Sequence, residues 1–404
     1  MITMIQDTRK LSRNFKLIMT DIGISTFSTS IFTVLILWIA IVYTGSVVVT
    51  GFTSAFLILP LLFSFIIGAV IDRTPRKKLY AVTSPIMKSL AALFLIPVLF
   101  IHSVSEEIIL LFLSAIIFGI SKDILVPIRA IWAQRFMKRQ VYLKGMSVAS
   151  IVSRTAGLSG FIVSAAIVLY DIRLAIVIVV ILYLLSILPI LLITDVREIR
   201  EQTEKFSKVL KDGFSYIRSN VIILSIVAVS AVSSLFLGMT DSASTVMTDQ
   251  VFRLNSSYLS FALLSISSGG IVGSSLISRM KEINMVGRKL VAIYALSGAA
   301  FIFLGVFVNI YILIAIFFFV GLFSGMSSPI ISSVLFGNVM RERIGTVQGA
   351  MDTLGTSFNS ASGMIAGIIM AVTFPPYVFF VMAGGLLAVS VLITRFKSLS
   401  TVRI

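Results

Sequence analysis

The chain has 404 residues, of which 58% are hydrophobic and 12% charged, with a mean hydropathy of +1.07. A water-soluble fold of this length has too little interior to hide that much apolar surface, and the sequence contains no cysteine, which excludes disulfides and thiolate metal sites. The net charge of +16 would suggest nucleic acid in a soluble protein, but here it serves as a topology signal.

The predicted elements begin after a polar, basic N-terminus, Met1 to Lys16, with an apolar segment too long for a cleaved signal peptide. Twelve spans of bilayer length follow, over about 15–43, 48–71, 79–101, 107–134, 141–169, 172–194, 221–241, 257–279, 289–308, 310–337, 344–372 and 376–395. With the N-terminus inside, the basic residues fall on one side: Arg9 to Lys16, Arg73 to Lys78, Arg135 to Lys144, Arg197 to Arg218, Arg279 to Lys289, Arg341 with Arg343, and the tail from Arg395. The opposite loops hold only Arg173 and Arg253, which places both termini in the cytoplasm of a multi-pass plasma-membrane protein. The outer loops are expected to be short except Asp241 to Ser257.

The fold class is therefore all-α and membrane-spanning. Near the middle, Phe206, Val209, Leu210, Gly213, Phe214 and Ile217 share a helical face, with Lys205, Lys208, Lys211 and Arg218 on or beside the polar one. This amphipathic linker over 197–219 separates a first half, 1–196, from a second, 220–404. A repeat supports the division: Gly119 to Pro127 and Gly321 to Pro329 share a Gly-x7-Pro spacing, 202 residues apart. Small residues at steps of four follow in each half: Ala156, Gly160 and Ser164, then Gly355, Asn359, Gly363 and Gly367. Such spacing lets helices approach closely. Repeated halves of six helices are the architecture of alternating-access carriers.

Between spans two and three stands Gly68-x3-Asp72-Arg73-x2-Arg76-Lys77, which resembles the loop signature of the major facilitator superfamily, with Pro75 in place of the usual turn glycine. Its counterpart, Gly273 to Arg279, lacks the carboxylate. Gly119 to Pro127, followed by Gly157-Leu-Ser-Gly160, resembles spans four and five of the family's exporters, although Ala115 replaces a frequent arginine and Leu158 a frequent proline. The resemblance implies two pseudo-symmetric six-helix bundles and favours the macrolide- and siderophore-exporter branch. It also implies that Asp72 faces the N-terminal end of span eleven, as a latch confined to the first half; Gly68, Arg73, Arg76 and Lys77 would complete this cytoplasmic gate, with Arg129 a candidate partner for the loop.

A charge at mid-membrane costs about 2.5–3.5 kcal/mol on insertion scales and needs a role. Asp123 in span four and Arg154 in span five fall at similar depth, so an ion pair is expected, with Asp123 as the protonatable group and Lys122 beside it. Gly325 occupies the Asp123 position in the second half. Asp21 and Asp352 are candidates for an inner vestibule or for helix-end groups reaching headgroup water. Lys88, near the middle of span three, is expected to pair with a carboxylate or snorkel inward.

Enzymatic readings find no support. There is no G-x4-G-K-[ST] for nucleotide phosphates. Gly157-Leu-Ser-Gly160 matches the string of intramembrane serine proteases, but the single histidine, His102, falls at a span end rather than beside it. No metal-ligand cluster and no cofactor motif appear. The sequence thus points to a monomeric secondary transporter, not an enzyme, whose partners are a small-molecule substrate, protons and the lipid bilayer, with no nucleic acid. Proton-coupled efflux of amphipathic molecules is the expected activity; import or uniport of a small metabolite, and a non-transporting sensor on the same scaffold, are the alternatives.

Overall fold

A computed structural model describes residues 13–60, 77–101, 103–136, 142–194, 215–278, 285–338 and 344–396. Among them there is no strand. The helices are α1 (Arg13–Thr44), α2 (Val47–Phe56), α3 (Lys77–Leu93, extended by Leu95–Val98), α4 (Val104–Phe136), α5 (Tyr142–Tyr170) and α6 (Ile172–Leu185, extended by Ile187–Leu192). They continue as α7 (Val221–Gly238, Thr240–Val246 and a π-helical turn Met247–Val251), α8 (Ser256–Ser278), α9 (Val286–Val306), α10 (Ile310–Asn338), α11 (Ile344–Val372) and α12 (Tyr377–Arg395). Eleven are long and apolar enough to cross a membrane, and α2 is a shorter apolar helix. Within the predicted linker only 215–219 are described, as helix, so its amphipathic face from Phe206 to Phe214 lies outside the described residues.

The fold class agrees with the sequence, and α6 shows why. Leu174, Val177, Ile181, Leu184, Leu188 and Leu191 are exposed, while Ala175, Ile176, Val179, Tyr183 and Ile190 are buried. An unbroken aliphatic stripe facing outward is unfavourable in water and matches lipid.

One expectation fails. Asp241 to Ser257 was expected to be a long outer loop, yet the helical path of α7 continues to Val251. Its polar residues are compatible with that path because their hydroxyls bond back along the helix: Ser244 and Thr245 to the Asp241 carbonyl at 2.8 and 2.9 Å, and Thr248 to Ser244 at 2.8 Å. Residues 242–248 are buried.

The chain forms two compact units. The first comprises residues 1–36 and 63–202. Its core at one end joins Ile18 of α1, Ala81 of α3, Ile124, Leu125, Ile128 and Trp132 of α4, and Ile190 and Ile193 at the end of α6. Deeper in, Phe32 stacks on Phe118 at 4.5 Å between ring centroids, and Tyr183 meets both at 6.4 Å. Lys78 closes this end by donating to the carbonyls of Leu191 and, at 2.9 Å, Ile193, where the terminal carbonyls of α6 lack helical partners. On α5, Gly160 lies against α1 so closely that a Cβ there would stand 2.5 Å from the Phe27 carbonyl oxygen.

The second unit comprises residues 37–62 and 203–404. Its tightest crossing joins α8 and α10. A Cβ on Gly269 would lie 2.0 Å from the Phe318 carbonyl oxygen, one on Gly273 2.0 Å from that of Leu322, and one on Gly321 2.1 Å from that of Ile266. Gly51 of α2 meets Gly363 and Gly367 of α11 in the same manner, with a Cβ at Gly51 only 2.4 Å from the Gly363 oxygen. Of the step-of-four small residues on α11, Gly363 and Gly367 thus serve close packing, while a Cβ on Gly355 would come no nearer than 3.7 Å to Ser234. Phe301 of α9 stacks on Phe379 of α12 at 6.1 Å, and the Tyr294 hydroxyl bonds Ser233 at 3.2 Å.

Candidate functional site

Among the described residues the buried charged side chains are Asp21, Lys88, Glu107 and Asp123, and all four belong to the first unit. Glu107 lies in the first turn of α4, where the helix dipole favours a carboxylate. The other three lie farther inside the helices and gather groups from α1, α3, α4 and α6.

Asp21 stands eight residues into α1 and is 1% exposed. Arg129, from the last turns of α4, donates from Nε to Asp21 Oδ2 at 2.7 Å and from a terminal nitrogen to the Asp21 backbone carbonyl at 3.4 Å. The guanidinium is the favoured partner for such a site because its charge is delocalised and its donors are fixed in direction. Asp21 Oδ1 is buried and accepts no hydrogen bond from the protein. The sequence did not anticipate this pairing: it offered Arg129 as a candidate partner for the Asp72 loop, and Asp21 for a vestibule or headgroup position. Gly68, Asp72, Arg73 and Arg76 lie outside the described residues; Lys77 opens α3 and is partly exposed.

One turn beyond Asp21 on the same face, Ser25 accepts a hydrogen bond from Lys88 Nζ at 2.9 Å. Lys88 is 3% exposed, and its ammonium lies 5.7 Å from the centroid of the Tyr183 ring. Asp21, Arg129 and Lys122 are near enough to influence it electrostatically. Lys88 therefore neither snorkels nor forms an ion pair here; it is held between a hydroxyl and an aromatic face. Lys122 in turn lies 5.9 Å from the Phe118 centroid, one turn along α4.

Asp123 is 2% exposed, and neither carboxylate oxygen has a hydrogen-bond partner in the protein. The expected pair with Arg154 is not formed: Arg154 is exposed on α5. Similar distance along two helices does not fix the face that each side chain takes. A carboxylate buried without a hydrogen-bond partner carries a large desolvation cost when it is charged. In α10 the corresponding Gly325 packs against α8, where a Cβ would stand 2.2 Å from the Gly270 carbonyl oxygen. That position in the repeat has room for no side chain, so the carboxylate is peculiar to the first unit. Asp352 lies on α11, with its side chain outside the described set.

Sequence reasoning missed two members of this cluster. Ser25 carried a signal, since Asp21, Ser25 and Ser28 repeat along one face of a membrane helix. Tyr183 carried none, being one aromatic in an apolar run. No group of three or more metal-ligating side chains occurs among the described residues.

Three comparisons bear on the chain. A sequence profile described as Major Facilitator Superfamily matches residues 22–358. No curated protein matches the sequence. Solved structures similar to it include a POT family transporter in complex with a thioalcohol-conjugated peptide, at 12% identity, 96% of each chain covered and a TM-score of 0.74. They also include the nucleoside transporter NupG, at 13% identity, 96% and 99% coverage and a TM-score of 0.70. The human organic anion transporter TETRAN is similar at 14% identity, with 94% and 99% coverage and a TM-score of 0.66. At such identities the likeness shows the fold.

Proposed function

Because this chain belongs to the major facilitator superfamily, we propose that it is a proton-coupled secondary transporter that works by alternating access and exports small amphipathic molecules of drug or siderophore type. It acts as a monomer in the plasma membrane with both termini in the cytoplasm, and it needs no cofactor. The observation that carries the proton coupling is the partnerless carboxylate of Asp123, buried inside a membrane-spanning helix. A group that must be neutralised at that depth can take up a proton or a cationic ligand and give it up when its surroundings change. The driving force is adequate, since one charge moved through 100 mV is worth about 2.3 kcal/mol.

In this reading Asp123 is the proton site, with Lys122, Arg154, Asp21 and Asp352 along the proton or substrate pathway. The segment from Gly68 through Asp72, Arg73 and Arg76 to Lys77 is the cytoplasmic gate. Export is supported by the resemblance of Gly119 to Pro127 and Gly157 to Gly160 to the exporter spans; the basic loops bear only on which side of the membrane the termini occupy.

A growth-inhibition panel of toxic amphipathic compounds tests both the direction and the residue. Cells expressing the wild type should tolerate at least one compound better than control cells. Asp123→Asn, made to an equal level in the membrane, should lose about tenfold or more of that tolerance, the ratio expected for an energetic loss near 1.4 kcal/mol. Equal tolerance in the two strains would remove Asp123 from the coupling mechanism, and greater sensitivity of wild-type cells than controls would indicate import.

A further inference from the structure

Within the first unit, a donor and an acceptor lie close together, both buried and both incompletely used. The donor is Lys88 Nζ, from the middle of α3; its one protein acceptor is the neutral Ser25 hydroxyl at 2.9 Å. The acceptor is Asp21 Oδ1, on the same face of α1 one turn away, which has no hydrogen-bond partner in the protein while Oδ2 is taken by Arg129. Four residues along a helix amount to about 6 Å, a distance that the four-carbon stem of a lysine covers by changing rotamer.

The charges around this pair do not balance. Arg129 offsets Asp21, and an ammonium at Lys88 then has no counter-charge at hydrogen-bond distance. The remaining groups that face it are Lys122 on α4, a further cation, and the Tyr183 ring on α6. A bound anion would have to reach groups closed off from the surroundings, since Asp21, Ser25, Lys88 and Tyr183 are each at most 3% exposed. A proton needs no cavity. The amine form of Lys88 suits the Ser25 contact, and the ammonium form suits Asp21 Oδ1.

We propose that Lys88 is a proton-binding residue that alternates between the Ser25 hydroxyl, as a neutral amine, and Asp21 Oδ1, as an ammonium. The step balances simply: the amine lone pair takes up one proton, giving the ammonium, and releases the same proton on return. Arg129, whose side chain is 17% exposed, links the pair to the edge of the unit and fixes the Asp21 carboxylate in place. Within the transport reading this makes Lys88 a second proton-handling group besides Asp123; the binding itself does not depend on that reading.

The test uses the full-length protein in lipid bilayers with 15N-labelled lysine and 13C-labelled aspartate, observed by solid-state NMR as pH is varied. Amine and ammonium nitrogens give separate signals. One lysine Nζ is expected to change from ammonium to amine as pH rises while the other lysines stay charged, and Lys88→Arg, or Lys88→Gln if the arginine variant is not produced, should lack that signal. Only the ammonium form should show through-space transfer to the Asp21 carboxylate carbon. Lysines that all remain ammonium through mildly alkaline pH, or a titrating signal that survives replacement of Lys88, would overturn the proposal, as would absence of transfer to Asp21. Failure of the flux or tolerance assays would instead count against the transport reading and leave this titration intact.

Discussion

Gly321→Val should prevent the chain from reaching its native packing. The glycine lies where α10 crosses α8, and even a single Cβ there would stand 2.1 Å from the Ile266 carbonyl oxygen. That atom belongs to a helix backbone, so it cannot move without carrying α8 with it. Overpacking of a core costs about 1–3 kcal/mol, occasionally more, and a clash with backbone belongs at the upper end. The detergent-solubilised variant should unfold at a clearly lower temperature than the wild type, or be recovered in much smaller amount. Gly384→Ala is the matched control, because nothing lies within 4 Å of a Cβ built there. Equal thermal stability of the valine variant and the wild type would contradict the described crossing.

Arg129→Met should destabilise the first unit more than loss of packing explains. It leaves the Asp21 carboxylate, 1% exposed, without the guanidinium and, while Lys88 donates to Ser25, with no other cation bonded to it. Breaking a buried pair by removing one partner typically costs about 3–5 kcal/mol. The double variant Arg129→Met with Asp21→Asn should recover a large part of that loss, because no isolated charge remains. Denaturant-induced unfolding of the wild type, both single variants and the double variant provides the cycle. Additive effects would show that the ion pair contributes nothing beyond its separate side chains.

The helices were legible in the sequence because hydropathy over twenty residues reports directly on the environment of a membrane span. Spans five, ten and eleven were expected at 141–169, 310–337 and 344–372, and the helices run Tyr142–Tyr170, Ile310–Asn338 and Ile344–Val372. The extension of α7 beyond Asp241 was hidden for a related reason: its serines and threonines read as loop, and only their bonds back to helix carbonyls make them compatible with it.

Partnerships were much less legible. Depth along a helix follows from residue number, but the facing neighbour depends on how each helix is rotated. Asp123 and Arg154 were expected at similar depth, yet neither Asp123 oxygen has a hydrogen-bond partner in the protein, whereas Asp21 and Arg129, not expected to pair, do. The α8–α10 crossing did carry a signal. Gly269 and Gly273 on one helix, and Gly321 and Gly325 on the other, are both Gly-x3-Gly steps. Gly273 was read as the remnant of a loop motif and Gly321 as half of Gly-x7-Pro, so the close-packing role of both was passed over. Gly325 shows the same lesson from the other side. The repeat locates it opposite Asp123, and the backbone of α8 explains why no carboxylate stands there.

Proton-coupled transport by a chain whose first unit holds the buried ionisable groups Asp21, Lys88 and Asp123 has a direct test. Purified protein in liposomes, loaded with a compound found in the growth-inhibition panel, tests it most directly when the pH gradient is imposed, abolished and reversed. Accumulation against the compound's own gradient should follow the sign of the imposed pH gradient, and Asp123→Asn should reduce it to passive exchange. Equal flux by the wild type under all three conditions would contradict it.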